Sequence, residues 1–119
     1  MKEQNSIALD IRVARNKAGL RQADCAHLLG VHKTRISHFE TGHTMPTVIE
    51  IASLSIVLGK PVESLLSGVL DTVADKLVEQ LRTMPSAPRD MPEMFNRAHT
   101  LSRLAKRLEA INATTHEGA

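Results

Sequence analysis

Between Gly19 and Gly42 the chain carries two short amphipathic segments, and the short turn between them contains Gly30. Small or apolar residues occupy the inward positions, and these are Ala23, Ala26, Leu29, Val31, Ile36 and Phe39. Polar or basic residues occupy the outward positions, and these are Arg21, Gln22, Lys33, Thr34, Arg35, Ser37 and His38. Because glycine adopts the left-handed backbone that ends a helix, the pattern predicts two helices joined by a tight turn. Such a pair buries one side and presents the polar face of its second helix outward.

Helical periodicity continues on both sides of this pair, and no alternating run of β-branched residues predicts a strand. The predicted helices span residues 7–17, 22–29, 33–40, 48–58, 61–66, 69–82 and 93–112. Thr47 is the predicted N-cap of the fourth helix, whose inward stripe is Val48, Ile51, Leu54 and Leu58. Apolar residues make up 42% of the chain, and its only aromatic residues are two phenylalanines. This composition suits small, closely packed helices, so the predicted fold class is all-α.

The pattern divides the chain into a domain over residues 1–68 and a helical extension over residues 69–119. Three prolines in residues 84–92 exclude a helix there and predict a loop between the two helices of the extension. The first of these helices carries an apolar stripe, formed by Leu70, Val73, Leu77 and Leu81. The second carries a coiled-coil-like seam, formed by Leu101, Leu104, Leu108 and Ile111. Because an isolated helical hairpin buries little apolar area, we expect this seam to join two copies; packing against the first domain is the alternative.

The charge distribution favours a phosphate-bearing partner. Seven Lys or Arg residues but only four Asp or Glu residues lie between residues 1 and 42, although the whole chain has a net charge of +2. A basic first third is typical of a phosphate-binding surface, and an ordinary solvated surface is the alternative. The absence of Trp and Tyr argues against recognition of single strands by base stacking.

Other function classes find little support in the sequence. The single cysteine, Cys25, excludes an intramolecular disulfide and is expected to be a small buried core residue. Neither a signal peptide nor a long apolar run is recognised, so we expect a cytoplasmic protein without a membrane partner. The six histidines form no pair with metal-ligand spacing, and no activated nucleophile is evident. We therefore expect no metal, no cofactor and no enzymatic activity.

Residues 7–66 resemble the phage-repressor/Cro-like helix-turn-helix family, also called the XRE family. The matching positions are Arg15, Gly19, Leu20, Gln22, Ala26, Leu29, Gly30, Val31, Ile36, Ser37, Glu40, Gly42, Pro46, residues 54–58, Leu65 and Leu66. The resemblance covers about half of the chain. It implies a five-helix lambda-repressor-like domain that binds double-stranded DNA, and an ion pair between Arg15 and Glu40. Two independently solvated charges are the alternative to that pair.

The resemblance and the chemistry of the side chains together assign roles at DNA. Contacts to base edges are expected from Lys33, Thr34, Ser37 and His38. Contacts to phosphates are expected from Arg21, Gln22, His32, Arg35, His43 and Thr44. His32 stands where relatives usually carry a Ser or Thr cap, and we expect a histidine to cap the helix poorly. Plain solvent exposure is the alternative for every base-reading residue.

The resemblance implies a sequence-specific transcriptional regulator, and we expect a homodimeric repressor that binds a palindromic operator. The alternative is an antitoxin-like autoregulator whose C-terminal helices bind a partner protein. Antitoxin tails are often acidic and disordered, whereas residues 95–107 are basic and regularly patterned, which favours the dimeric repressor.

Overall fold

The computed structural model describes residues 2–87 and 94–117. This part of the chain contains seven helices and no strand, which confirms the all-α prediction. The helices are α1 (Lys2–Ala18), α2 (Gln22–Leu29), α3 (Lys33–Glu40), α4 (Val48–Leu58), α5 (Val62–Leu65), α6 (Ser67–Arg82) and α7 (Met94–Glu117). The chain divides into two compact units, residues 1–70 and residues 71–119. None of the described helices combines the length and the apolarity that crossing a bilayer requires.

The turn between α2 and α3 depends on Gly30, whose φ of 70° lies in the left-handed region. Its N–H donates to the carbonyl of His27 at 3.1 Å, and the N–H of Val31 donates to the carbonyl of Ala26 at 3.0 Å. A side chain at position 30 would strain this conformation, because a β-carbon disfavours positive φ. The turn therefore fixes how α3 leaves α2.

The core of the first unit is formed by α1 to α5. Its fully buried side chains are Ile11, Cys25, Ile36, Phe39, Leu54 and Leu65. Ala23 was expected on the inward side of α2, but it is exposed, because the inward stripe of that helix contains Cys25 and Ala26 instead. Burial also raises the pKa of the Cys25 thiol, so this residue packs as a hydrophobe and is a poor nucleophile.

Helix α4 departs from its predicted stripe at the first position. Ile51, Leu54 and Leu58 are buried as expected, but Val48 is 86% exposed. Val48 directly follows the N-cap Thr47, so the first turn of α4 extends beyond the core. Ile49 and Ile56 are also exposed, at 78% and 83%.

In the second unit α7 packs against the C-terminal part of α6. Ala74 and Leu108 are the most deeply buried side chains there, at 2% and 4% exposed. Val78 and Leu81 of α6 face Ala105 and Leu108 of α7 across a cavity of about 250 Å³.

The stripe on α6 that packs is displaced from the predicted one. Val73 and Leu77 are 44% and 40% exposed, whereas Ala74 is buried. On α7, Leu101 and Leu104 are half-buried and Ile111 is 36% exposed. Residues 84–87 are not helical, and residues 88–92 of the predicted loop lie outside the described residues.

Candidate nucleic-acid interface

One face of α3 packs into the core of the first unit, so the orientation of the opposite face is fixed. Ile36 and Phe39 are completely buried in the core of the first unit. On the opposite side Lys33 and Thr34 are exposed, and Ser37 and His38 are half-buried. The four residues predicted to contact base edges therefore have access to solvent on a helix that the core holds in place.

A buried carboxylate joins the start of α2 to the ends of α1 and α3. Glu40 is 5% exposed and forms a two-pronged ion pair with Arg15, through Nε and through Nη2 at 2.9 Å. Nη1 of Arg15 also donates to the carbonyl of Leu20 at 2.8 Å, and Nε2 of Gln22 donates to Glu40 Oε1 at 3.2 Å. Since a carboxamide nitrogen carries two N–H groups, Gln22 keeps one donor for a phosphate.

Arg35, for which a phosphate contact is predicted, forms an ion pair with Glu50. Its Nη2 donates to Glu50 Oε1 at 2.8 Å, and its Nε donates to Oε2 of the same carboxylate. The guanidinium lies 5.2 Å from the centroid of the Phe39 ring. Glu50 is in place because it forms a capping box with Thr47 at the start of α4. Arg35 therefore ties α3 to α4, and its Nη1 group, which takes no part in this ion pair, keeps its donors for a phosphate.

The Arg35–Glu50 pair is a pH-dependent source of stability. The hydrogen bonds from Arg35 are the largest cause that lowers the pKa of Glu50 from 4.5 to about 2. A carboxyl with a lowered folded-state pKa stabilises the fold above its unfolded pKa, and this contribution disappears as the pH falls through the folded-state value. The stability from Glu50 is thus present at neutral pH and is lost between pH 4.5 and about 2.

We expect Glu50→Gln to lower the free energy of unfolding at pH 7 by about 1–2 kcal/mol, since water screens the half-exposed Arg35. Glutamine preserves the acceptor oxygen for Thr47, but it replaces the oxygen that accepts from Arg35 Nε with an NH2 group, so the substitution removes the charge together with that hydrogen bond. Urea unfolding at a series of pH values should show the difference from the wild type shrink toward pH 2. Glu63→Gln, at an exposed position on α5, is the matched control, and an equal loss in both variants would contradict this role of Glu50.

The N-cap residues of α2 and α3, Arg21 and His32, are both predicted to contact phosphates. Nδ1 of His32 accepts a hydrogen bond from the N–H of Thr34 at 3.1 Å, so the expectation that this histidine caps poorly is wrong. Arg21 precedes α2, where its N–H donates to Oδ2 of Asp24 at 2.8 Å. The side chain of Arg21 is 82% exposed and lies 3.2 Å from Oδ1 of Asp24. Such an exposed pair is weak, which leaves Arg21 able to reach a phosphate.

The segment after α3 brings two further predicted contacts to the end of that helix. The backbone N–H groups of His43 and Thr44 both donate to the carbonyl of His38, at 2.9 and 3.2 Å. The imidazole rings of His38 and His43 lie with their centroids 4.8 Å apart. A predicted base contact and a predicted phosphate contact are thus adjacent.

Every carboxylate between residues 19 and 50 is paired with an arginine. Asp24 pairs with Arg21, Glu40 with Arg15, and Glu50 with Arg35. Two of these carboxylates are turned inward, with side chains 3% and 12% exposed. The surface of α2 and α3 therefore offers hydrogen-bond donors and the cation of Lys33 without an uncompensated negative charge.

Within the described residues, no cluster of histidine, cysteine or carboxylate side chains could hold a metal ion.

Neither the Arg35–Glu50 pair nor the hydrogen bond from Gln22 to Glu40 was predicted from the sequence. One signal for Glu50 was present, because Thr47 and Glu50 have the spacing of a capping box. That spacing places Glu50 at the start of α4, but it does not reveal which cation will meet it.

Comparisons with known proteins agree with this geometry. Residues 11–65 match the helix-turn-helix family. The structure is similar to the crystal structure of the clp gene regulator ClgR from Corynebacterium glutamicum, with a TM-score of 0.52 and 22% sequence identity. The alignment covers 66% of this chain and 88% of the ClgR chain, and at this identity it shows a shared fold. A search of curated proteins finds no match. Residues 11–65 therefore form a helix-turn-helix domain of the XRE type.

Proposed function

We propose that the chain is a homodimeric repressor that binds a palindromic operator, with α3 in the major groove. The observation that carries the proposal is the combination of an outward polar face on α3 with arginine-paired carboxylates throughout residues 19–50. A polyanion can approach such a surface without meeting an unpaired negative charge. Occupation of an operator that overlaps a promoter would then exclude polymerase.

The proposed base contacts are made by Lys33, Thr34, Ser37 and His38. The ammonium group of Lys33 is suited to O6 and N7 of guanine, because both are acceptors in the major groove. The proposed phosphate contacts are made by Arg21, Gln22, His32, His43 and Thr44. Arg35 is a further proposed phosphate contact, because its Nη1 group is not used by the ion pair with Glu50.

Apolar surface that remains exposed in one copy supports the proposal of a dimer. In the second unit Val73, Leu77 and Ile111 are 36–44% exposed, and Leu101 and Leu104 are half-buried. Leu108 is already buried within one copy, so its contribution to a dimer is through the packing of α7. A second copy would cover the remaining apolar side chains and place two recognition helices about 34 Å apart, one turn of B-form DNA.

Sedimentation of the full chain, followed by titration of a palindromic duplex, tests this proposal. We expect a dimer for the wild type and a monomer for Leu77→Lys, which would bury an unpaired charge in the proposed interface. The variant should bind the full palindrome with lower affinity than the wild type. Its affinity for a single half-site should equal that of the wild type. Asp75→Lys adds the same side chain on another side of α6 and should remain dimeric.

A monomeric wild-type chain would contradict the proposed dimer. A chain that is monomeric alone but forms a defined complex with a protein encoded beside it would support the antitoxin-like alternative instead.

A further inference from the structure

We propose that His32 determines sequence specificity by turning the hydroxyl of Thr34 into a pure hydrogen-bond acceptor toward DNA. His32 itself is a positioning residue in this proposal, and Thr34 makes the contact. The inference rests on the proposed function, because it requires Thr34 to face a base edge. It also explains why a histidine can occupy a cap position that favours Ser and Thr.

The first step fixes the protonation of the His32 ring. The backbone N–H of Thr34 lies 3.1 Å from His32 Nδ1, in the geometry of a hydrogen bond. A backbone N–H can only donate, so Nδ1 must be the acceptor and carries no proton. The ring is therefore the neutral tautomer whose proton is on Nε2.

The second step fixes the direction of the Thr34 hydroxyl. His32 Nδ1 also lies 2.9 Å from Thr34 Oγ1. Because Nδ1 has no proton to give, the hydroxyl supplies the hydrogen for this contact, and the single lone pair of Nδ1 accepts it together with the N–H of Thr34. A hydroxyl has a single hydrogen, so Thr34 Oγ1 can offer only its lone pairs to another molecule. Both side chains are exposed, which leaves those lone pairs accessible to a ligand.

The third step identifies the bases that such an oxygen accepts. In the major groove adenine presents an amino group at N6 and cytosine presents one at N4, and both are donors. Guanine O6 and N7 and thymine O4 are acceptors, which an acceptor oxygen does not bind. The geometry thus predicts adenine or cytosine at the base that Thr34 contacts.

Competition binding with four duplexes that differ only at the contacted base tests the proposal. The variant Thr34→Val identifies the contacted base, because the preference of the protein at that position should be lost when the hydroxyl is removed. For the wild type we expect adenine or cytosine to be favoured by about fivefold, the value of one net hydrogen bond. His32→Ala should reduce this preference to less than about twofold, because the freed hydroxyl can then donate as well as accept. His32→Asn should preserve the preference, because its side-chain oxygen can accept both hydrogens at the cap.

A residue that only caps the helix would behave differently. His32→Ala would then weaken binding to all four duplexes by one common factor, and this result would overturn the proposal. In a protein that already carries Thr34→Val, His32→Ala should leave the relative affinities for the four duplexes unchanged. A preference for guanine or thymine at the contacted base in the wild type would also overturn it.

Two further outcomes separate this inference from the proposed function. If the wild type selects a sequence but no position responds to Thr34→Val, the inference fails alone. If the wild type binds all duplexes equally, both fail. Nitrogen NMR of the free protein gives an independent measurement, in which we expect the His32 proton on Nε2; a proton on Nδ1 would contradict the inference directly.

Discussion

We expect Arg15→Ala to lower the free energy of unfolding by about 3–5 kcal/mol, a cost typical of breaking a buried ion pair. The substitution removes both guanidinium bonds to Glu40, whose side chain is only 3% exposed. The carboxylate would keep one hydrogen bond, from Gln22. Because Glu40 is the last residue of α3, the loss should also loosen the end of this helix. Urea-induced unfolding followed by circular dichroism measures the effect.

Two variants show whether the cost comes from burial of the charge. Arg21→Ala breaks a pair whose arginine is 82% exposed, and we expect a much smaller loss of stability than for Arg15→Ala, because solvent screens the pair. Arg15→Met combined with Glu40→Leu removes both charges, and much of the lost stability should return, since apolar replacements of buried pairs are often tolerated. A loss of no more than 1 kcal/mol for Arg15→Ala would show that the buried pair does not hold the domain together.

The second large effect concerns DNA. The double variant Lys33→Ala with His38→Ala should lower affinity for the selected operator by about 10²- to 10⁴-fold, since two base contacts contribute about 1–3 kcal/mol each. Neither side chain belongs to the buried core, so the fold should persist. Weak binding through phosphate contacts should remain, should be nearly independent of sequence and should fall steeply with salt. Fluorescence anisotropy with operator and scrambled duplexes measures both properties.

Lys60→Ala is the control for the double variant, because it also removes the charge of one lysine. Lys60 follows α4, outside the proposed interface, and is exposed. We expect this variant to keep the preference of the wild type for the operator. If the double variant at positions 33 and 38 kept that preference as well, these side chains would not be the base readers.

Local signals in the sequence were sufficient for much of the fold. The bounds of α2, α3 and α4 agree with the prediction, because Gly30, Gly59 and Thr47 act on the backbone next to them. The inward residues of α3 were also predictable, since Ile36 and Phe39 are spaced three apart in an otherwise polar helix.

Features that depend on how helices meet could not be predicted from periodicity. On α6 two adjacent apolar stripes are available, and only the tertiary structure shows that Ala74 is buried while Val73 and Leu77 stay exposed. The ion-pair partner of Arg35 could not be predicted for the same reason. Glu50 belongs to another helix, and only the tertiary structure brings the two charges together.

A structure of the full chain bound to its selected duplex tests the central claim most directly. The account predicts that α3 lies in the major groove, with Lys33, Thr34 and His38 within hydrogen-bonding distance of base edges. A complex in which residues 33–38 face solvent or another protein surface, with the duplex held elsewhere on the molecule, would contradict it.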